Sequence, residues 1–273
     1  MNIYDHKAIR IVSALIICLI FPSLTLGQET TIIPVKIETS LGWNQFTYSG
    51  INDDMRVIRD SMNYSHFDIP LRNFGRDLNV GMIISTIVTS DVSAGISLQY
   101  CVTRGYYRYD GTTLSSQIAT EQEYALSRIV PQLTIEFSHR MHTAEPVTVS
   151  ARGLIGLTFI DMRKDFNFAF APQSPTPPFP FLPPFALHVT GQYHAANPEI
   201  GAQLSLSIGI VANIRFKASF AFVYSPSKDV SGEFDSVTLQ EILTEEPFKN
   251  VLLRNVNLGY YGTTIGGGLE FGL

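Results

Sequence analysis

The 273-residue chain contains little of what marks disulfide-rich domains, nucleic-acid-binding proteins or helical membrane proteins. It has two cysteines, Cys18 and Cys101, which are too few for a disulfide framework. Its net charge of −5 argues against nucleic acid as a partner. After residue 27 no segment approaches the ~20 continuous apolar residues that a transmembrane helix needs. We therefore expect no transmembrane helix in the body of the chain.

The N-terminus has the pattern of a secretory signal peptide. Lys7 and Arg10 form a basic flank before the apolar run Ile11–Phe21, and small residues follow at the positions that a signal peptidase reads. We therefore predict a signal peptide over residues 1–27 and one domain over residues 28–273. An exported domain that retains one cysteine must gain its stability without an internal disulfide.

The clearest pattern is the alternation in Ile200–Tyr224, where every second residue is apolar and the residues between are mostly small or polar. A period of two indicates β-strand, because successive side chains point to opposite faces of a sheet. At ~3.3 Å per residue this stretch would reach roughly 80 Å, which is too long for one strand. We predict a hairpin that turns at Val211-Ala212-Asn213 and places Ile210 opposite Ile214.

The same alternation recurs along the chain, and together the segments predict eight strands. They lie at Ile33–Phe46, Asn79–Val88, 93–103, 128–137, 147–159, His188–Ile210, Ile214–Tyr224 and Gly259–Leu273. Three short turns, one of them at Thr89-Ser90-Asp91, alternate with four long loops. Short turns at one end and long loops at the other are typical of transmembrane β-barrels.

The long connections are predicted to be irregular. Thr47–Leu78 is charged and is expected to be a loop with room for an extra hairpin near Tyr64–Leu71. Asp110–Gln122 is predicted as a polar loop, and Ser225–Leu258 as a long segment with a short helix near Ser236–Leu243. The loop before the sixth strand contains seven prolines among Pro172 to Pro184, which favour an extended, polyproline-like conformation.

Charged residues within the strands share the face opposite the apolar one. An eight-stranded barrel is barely wide enough inside for side chains, and an unpaired charge there would be costly. We therefore predict a paired network that fills the lumen, formed by Glu38, Glu136, Arg152, Arg215, Lys217 and Glu270. The alternative is a small pore lined by the same charges.

The final strand IGGGLEFGL and the segment FDIPL at Phe67–Leu71 resemble features of the outer-membrane β-barrel superfamily, including OmpA-type and OmpX-like domains and PorT-type barrels of Bacteroidetes-like bacteria. The final strand departs from that pattern because it ends on Leu273 and has Phe271 two residues earlier. The resemblance implies an all-β fold: an eight-stranded antiparallel up-and-down transmembrane β-barrel with long extracellular loops, ten strands being the alternative. It also implies bacterial outer-membrane lipid as the surroundings and the barrel-assembly machinery as a partner during biogenesis.

The sequence predicts no catalytic residue, metal or cofactor. His188 and His194 share one face of a strand, but no nucleophile motif accompanies them. We expect a monomer with a structural or surface-interaction role through its loops, and the aromatic residues Phe179, Phe181 and Phe185 form the candidate partner-contact loop. The alternatives are a narrow diffusion channel, a PorT-type secretion-accessory protein and a secreted soluble β-sandwich.

Overall fold

A computed structural model describes residues 34–61, 76–112, 116–141, 147–172, 185–211, 213–227, 229–238 and 255–272. The predicted signal peptide lies outside the described residues. The elements in chain order are β1 (Val35–Thr47), α1 (Ser49–Ser61), β2 (Arg76–Thr89), β3 (Val92–Thr112), β4 (Ser116–Arg140), β5 (Val147–Pro172), β6 (Phe185–Val211), β7 (Ile214–Ser225), β8 (Asp229–Val230), β9 (Glu233–Thr238), β10 (Val256–Asn257) and β11 (Tyr260–Gly272).

Eight of the strands close into one antiparallel barrel. Strands β1 to β6 pair in sequence, β6 pairs with β7, and β7 pairs with β11. Strand β11 then pairs with β1, which completes the ring. The predicted eight-stranded antiparallel barrel is therefore confirmed. Of the short strands, β9 pairs with the outer part of β6, and β10 pairs with β8.

The outside of the barrel carries an apolar band of the height of a bilayer core. On β5 the outward positions from Val149 to Phe159 are exposed, and the side chain of Ile155 is 60% accessible. Ten residue steps at ~3.3 Å, tilted by about 40°, give a band roughly 25 Å tall. The next two outward residues on this strand are Asp161 and Arg163, so the apolar band ends sharply. This surface faces lipid, which excludes the secreted sandwich.

Four strands continue beyond this band. Strands β3 to β6 have 21 to 27 residues, whereas β1, β2, β7 and β11 have 12 to 14. The prediction of a polar loop at Asp110–Gln122 was wrong, because β3 continues to Thr112 and β4 already begins at Ser116. Beyond the band the outer face of these strands is in water and carries polar residues. The sequence there lacks the apolar alternation by which the other strands were recognised. We call the parts of β3 to β6 that lie beyond the apolar band the extension; on β5 it comprises residues 161–172.

The prediction of an irregular loop at Thr47–Leu78 was also wrong, because its first part forms α1. Ile51 and Met55 lie four residues apart on one face of this helix, and both are buried. They pack in a cluster with extension residues such as Leu126 and Phe166. The helix therefore fills the concave side of the extension. Among the described residues no helix is long and apolar enough to cross a bilayer.

Two smaller predictions for the connecting segments have different outcomes. Residues 236–238 of the proposed short helix belong to β9, and the rest of that helix lies outside the described residues. The proposed hairpin near Tyr64–Leu71 also lies outside them.

Both tight turns contain one residue fewer than predicted. Thr89 pairs with Val92, and Val211 pairs with Ile214, so two residues connect each pair. The register shifts just before each turn, which is the mark of a β-bulge. The apolar residues of the paired strands still share one face, because the extra residue lies in the bulge instead of the turn.

Candidate functional site: the barrel interior

Strand register brings the predicted interior charges together near the short-turn end. Glu136 on β4 is the direct partner of Arg152 on β5, and Glu270 on β11 is the direct partner of Arg215 on β7. Glu270 also lies opposite Glu38 on β1, which places two like charges side by side. Like charges in that position repel, so a cation from elsewhere in the barrel has to compensate them.

Two buried cations bind the three glutamates. Arg152 Nη2 donates to carboxylate oxygens of both Glu38 and Glu136. Lys217 Nζ lies 3.1 Å from Glu38 Oε1, 2.9 Å from Glu136 Oε2 and 3.8 Å from Glu270 Oε2. All five side chains are buried. Lys217 therefore relieves the repulsion between Glu38 and Glu270 by contacting both.

Two further cations lie where the network meets the open short-turn end. Lys36 Nζ is 3.6 Å from Glu136 Oε1, and Arg215 Nη1 is 3.8 Å from Glu270 Oε1. The Arg215 side chain is 33% exposed. Both cations line a cavity of about 250 Å³ at this mouth. The structure thus places the six predicted residues and Lys36 in one cluster, which is buried at its centre and exposed to solvent at the mouth. We call these seven residues the charge network.

The charge network already contains the cation that its carboxylates need. Oxygens of Glu38, Glu136 and Glu270 lie within 4.8 Å of one another, a spacing that suits a metal ion. The ammonium of Lys217 is within 3.8 Å of all three carboxylates, so it stands where such an ion would bind. The donor set is therefore satisfied by the chain itself.

A second interior layer is centred on Arg128, a buried residue of β4. Its guanidinium lies over the adjacent rings of Phe46 and Tyr260, at 4.4 and 4.3 Å from their centroids. Its Nε and Nη2 donate to Cys101 Sγ at 3.3 and 2.9 Å, and its Nη1 is 3.9 Å from Glu199 Oε2. Sequence reasoning missed Glu199, although it alternates with the outward residue Ile200 and therefore faces the interior.

The third layer holds α1 against the extension. Asp54 Oδ2 accepts hydrogen bonds from Lys164 Nζ at 2.5 Å and from the Tyr124 hydroxyl at 2.8 Å. The side chains of Asp54 and Lys164 are fully buried. Tyr48, which precedes the helix, is also fully buried, and burial raises the pKa of its hydroxyl because a phenolate there would be poorly solvated. Sequence reasoning missed this ion pair, because both partners fell in segments predicted as loops.

The space left between the layers is small. A cavity of about 50 Å³ is lined by polar side chains that include Asn79, Gln99 and Gln203, with Glu38 and Lys217 beside them. This volume holds a few water molecules and is too small for a solute.

The other sequence candidates lie away from the interior. Phe179 and Phe181 fall outside the described residues, and Phe185 is the first residue of β6, where its backbone pairs with Phe170. His194 Nδ1 lies 2.6 Å from Asp161 on the exposed surface of the extension. His188 contacts Asn167 and the hydroxyl of Thr190.

No family model matches the chain, and no curated protein matches it. Solved structures with a similar arrangement include Neisserial surface protein A, which is 8% identical, with 87% of this chain and 96% of that one covered at a TM-score of 0.38. They also include outer membrane protein OprG from Pseudomonas aeruginosa, which is 8% identical, with 88% and 96% covered at 0.35. A third is outer membrane protease OmpT from Escherichia coli, which is 9% identical, with 92% and 100% covered at 0.34.

The location of the protein follows from its own surfaces. A closed antiparallel barrel with a lipid-facing apolar band, a polar interior and short turns at one end has the architecture of outer-membrane proteins. The chain is therefore a β-barrel of the bacterial outer membrane, with the extension on the extracellular side.

Proposed function

We propose that the protein is a non-enzymatic outer-membrane barrel with a closed lumen, and that it acts at the cell surface through its extension and loops. The observation that carries this proposal is the filled interior: three layers of buried side chains leave a cavity of about 50 Å³. A diffusion channel of the same strand number would need a continuous wet path through the charge network, the Arg128 layer and the α1 layer.

The extension supports a surface role. On β5 it runs from Asp161 to Pro172, twelve residues that reach about 40 Å along the strand. A barrel whose single task is to anchor the chain has no need of strands that long. Contact of a partner with the loop that holds Phe179 and Phe181, which follows β5 in the sequence, is part of the proposal.

The environments of the histidines support the non-enzymatic assignment. The Thr190 hydroxyl, which lies 3.2 Å from His188 Nε2, belongs to a fully buried residue and is poorly placed to meet a substrate. The partner of His194 is the exposed carboxylate of Asp161. No histidine lines the interior cavity, the cavity at the short-turn mouth or the groove on the outer wall.

Assembly of the barrel is proposed to follow the superfamily route. The strand β11 that closes the ring carries the glycine-rich sequence IGGGLEFG, and we propose that the barrel-assembly machinery recognises it during insertion. We further propose that the protein works as a monomer, since its ring closes within one chain. A PorT-type role in secretion stays a prediction.

Conductance across a planar lipid bilayer tests the closed lumen. We expect the wild-type protein to give no steady open-channel steps. The Arg152→Ala/Arg215→Ala variant should also stay closed, because the Arg128 and α1 layers remain. A narrow pore lined by these charges would instead conduct in the wild type, and its ion selectivity would change in the variant. The shift in SDS gel mobility on heating verifies that each sample is folded.

A further inference from the structure

Two arginines stand side by side at the extracellular edge of the apolar band. Leu78 on β2 pairs with Val102 on β3, and both side chains are exposed to lipid. Arg76 and Arg104 each lie two residues further toward the extracellular end of their strands and are exposed. The β2–β3 pairing ends at Leu78–Val102, and a hydrogen bond from the Thr103 hydroxyl to Asp77 joins the two strands one residue further, so the arginines lie outward on neighbouring strands.

Neither arginine has a counter-charge in the part of the chain that the structure describes. The neighbour of Arg76 on β1 is Gln45, and the neighbour of Arg104 on β4 is Ala125. Other outward arginines of the extension differ, since Arg108 lies 3.4 Å from Glu121 and Arg163 lies 2.9 Å from Asp165. Two like charges on neighbouring strands repel each other, so the arginines gain from an external anion.

An apolar groove lies on the same strands, within the lipid-facing band. It has about 510 Å³ and is lined mainly by apolar side chains of β1, β2 and β3, among them Leu41, Val80, Met82 and Leu98. Its floor includes Gly267 of β11, which faces outward opposite Leu41, so the missing side chain makes the wall concave there. The groove faces the hydrocarbon layer, so an acyl chain is the material that fills it.

We propose that Arg76, Arg104 and this groove form a binding site for an outer-leaflet lipid with a phosphate headgroup. The guanidinium groups stand at headgroup level and bind phosphate oxygens through paired N–H donors. The acyl chains follow the groove below. The basic pair favours a lipid whose phosphate headgroup has a net negative charge over a zwitterionic lipid. The apolar groove favours a lipid over a free anion.

Trp43 provides a reporter for this site. It is the single tryptophan of the protein, its side chain is 56% exposed, and it pairs with Leu78 on β2. In proteoliposomes, brominated acyl chains quench its fluorescence on contact. We expect brominated phosphatidic acid to quench Trp43 at a lower mole fraction than brominated phosphatidylcholine does.

The Arg76→Gln/Arg104→Gln variant should lose this preference, with a fall in relative affinity of roughly tenfold. The matched control is Arg163→Gln, which removes an arginine that has its own carboxylate and should leave the preference unchanged. Equal preference in wild type and double variant would overturn the site. If inorganic phosphate in large excess abolished the preference of the wild type, the arginines would bind a soluble anion and the lipid assignment would fail.

Discussion

The two ends of the barrel interior are filled in different ways. At the short-turn end the charge network closes the lumen with three carboxylates, two buried cations and two cations at the mouth. At the extracellular end an apolar cluster from α1 and the extension surrounds the buried ion pair Asp54–Lys164.

The difference follows from the width of the two regions. Eight strands close tightly around the charge network, so long polar side chains from opposite walls meet and fill the space. The extension is built from β3 to β6 with β9 along one side of β6, so it is an open sheet with a wide concave face. Side chains alone do not span it, and a helix with an apolar face supplies the missing volume.

Removing the buried arginine of the charge network should have the largest effect. Arg152→Met leaves Glu38 and Glu136 buried with Lys217 as their main compensation. Breaking a buried ion pair in this way costs about 3–5 kcal/mol, because an uncompensated charge stays in the interior. Urea unfolding in lipid vesicles, followed by Trp43 fluorescence, measures the loss.

A second arginine on the same strand provides the control. Arg163 forms an exposed pair with Asp165, and Arg163→Met should change the free energy of unfolding by about 0.5 kcal/mol or less. If Arg152→Met were as mild as Arg163→Met, the charge network would not contribute to stability.

The ion pair under α1 should respond differently from the charge network. Lys164→Met leaves Asp54 buried among apolar side chains and should cost about 3 kcal/mol. Adding Asp54→Asn removes the second charge and keeps an acceptor for the Tyr124 hydroxyl, so the double variant should recover to within about 1 kcal/mol of wild type. No recovery would mean that this pair belongs to a larger charged cluster, as Arg152 does.

Helix α1 also depends on a close backbone contact, and two glycines test it. A Cβ on Gly50 would lie 2.2 Å from the carbonyl oxygen of Asn257 in β10, so Gly50→Ala must push the helix away. Overpacking of this kind costs about 1–3 kcal/mol. The control is Gly153→Ala on the outer wall, where a Cβ meets nothing within 4 Å. Unfolding free energies that are equal for the two variants would show that the helix tolerates displacement.

The barrel could be predicted from the sequence because its outer wall obeys a simple rule. Lipid demands an apolar residue at every second position, as in Ile200–Tyr224, and charge is tolerated in the lumen alone. The residues of the charge network were recognised by that phase. Their pairing could not be predicted, because phase says which face a residue occupies, whereas the Glu136–Arg152 neighbourhood depends on the register between strands.

The extension and α1 escaped prediction for the opposite reason. Water on the outer face of the extension permits Asp161 and Arg163 where the lipid-facing part has Ile155 and Leu157, so the alternation disappears. The spacing of Ile51, Met55 and Ile58 is a weak helical signal within a charged segment. Its meaning depends on the concave sheet that packs against it, and the first strand of that sheet begins 31 residues after the helix ends.

The mouth of the charge network should give the smallest effect and define where its buried part ends. Arg215 is one third exposed and lies 3.8 Å from Glu270, which Lys217 also contacts. Arg215→Gln should therefore cost less than about 1 kcal/mol, and added salt should reduce even that, because solvent screens the pair. The same urea unfolding at low and high salt measures both. A loss close to that of Arg152→Met, unchanged by salt, would place Arg215 in the dry part of the network and would mean that the lumen is sealed up to its edge.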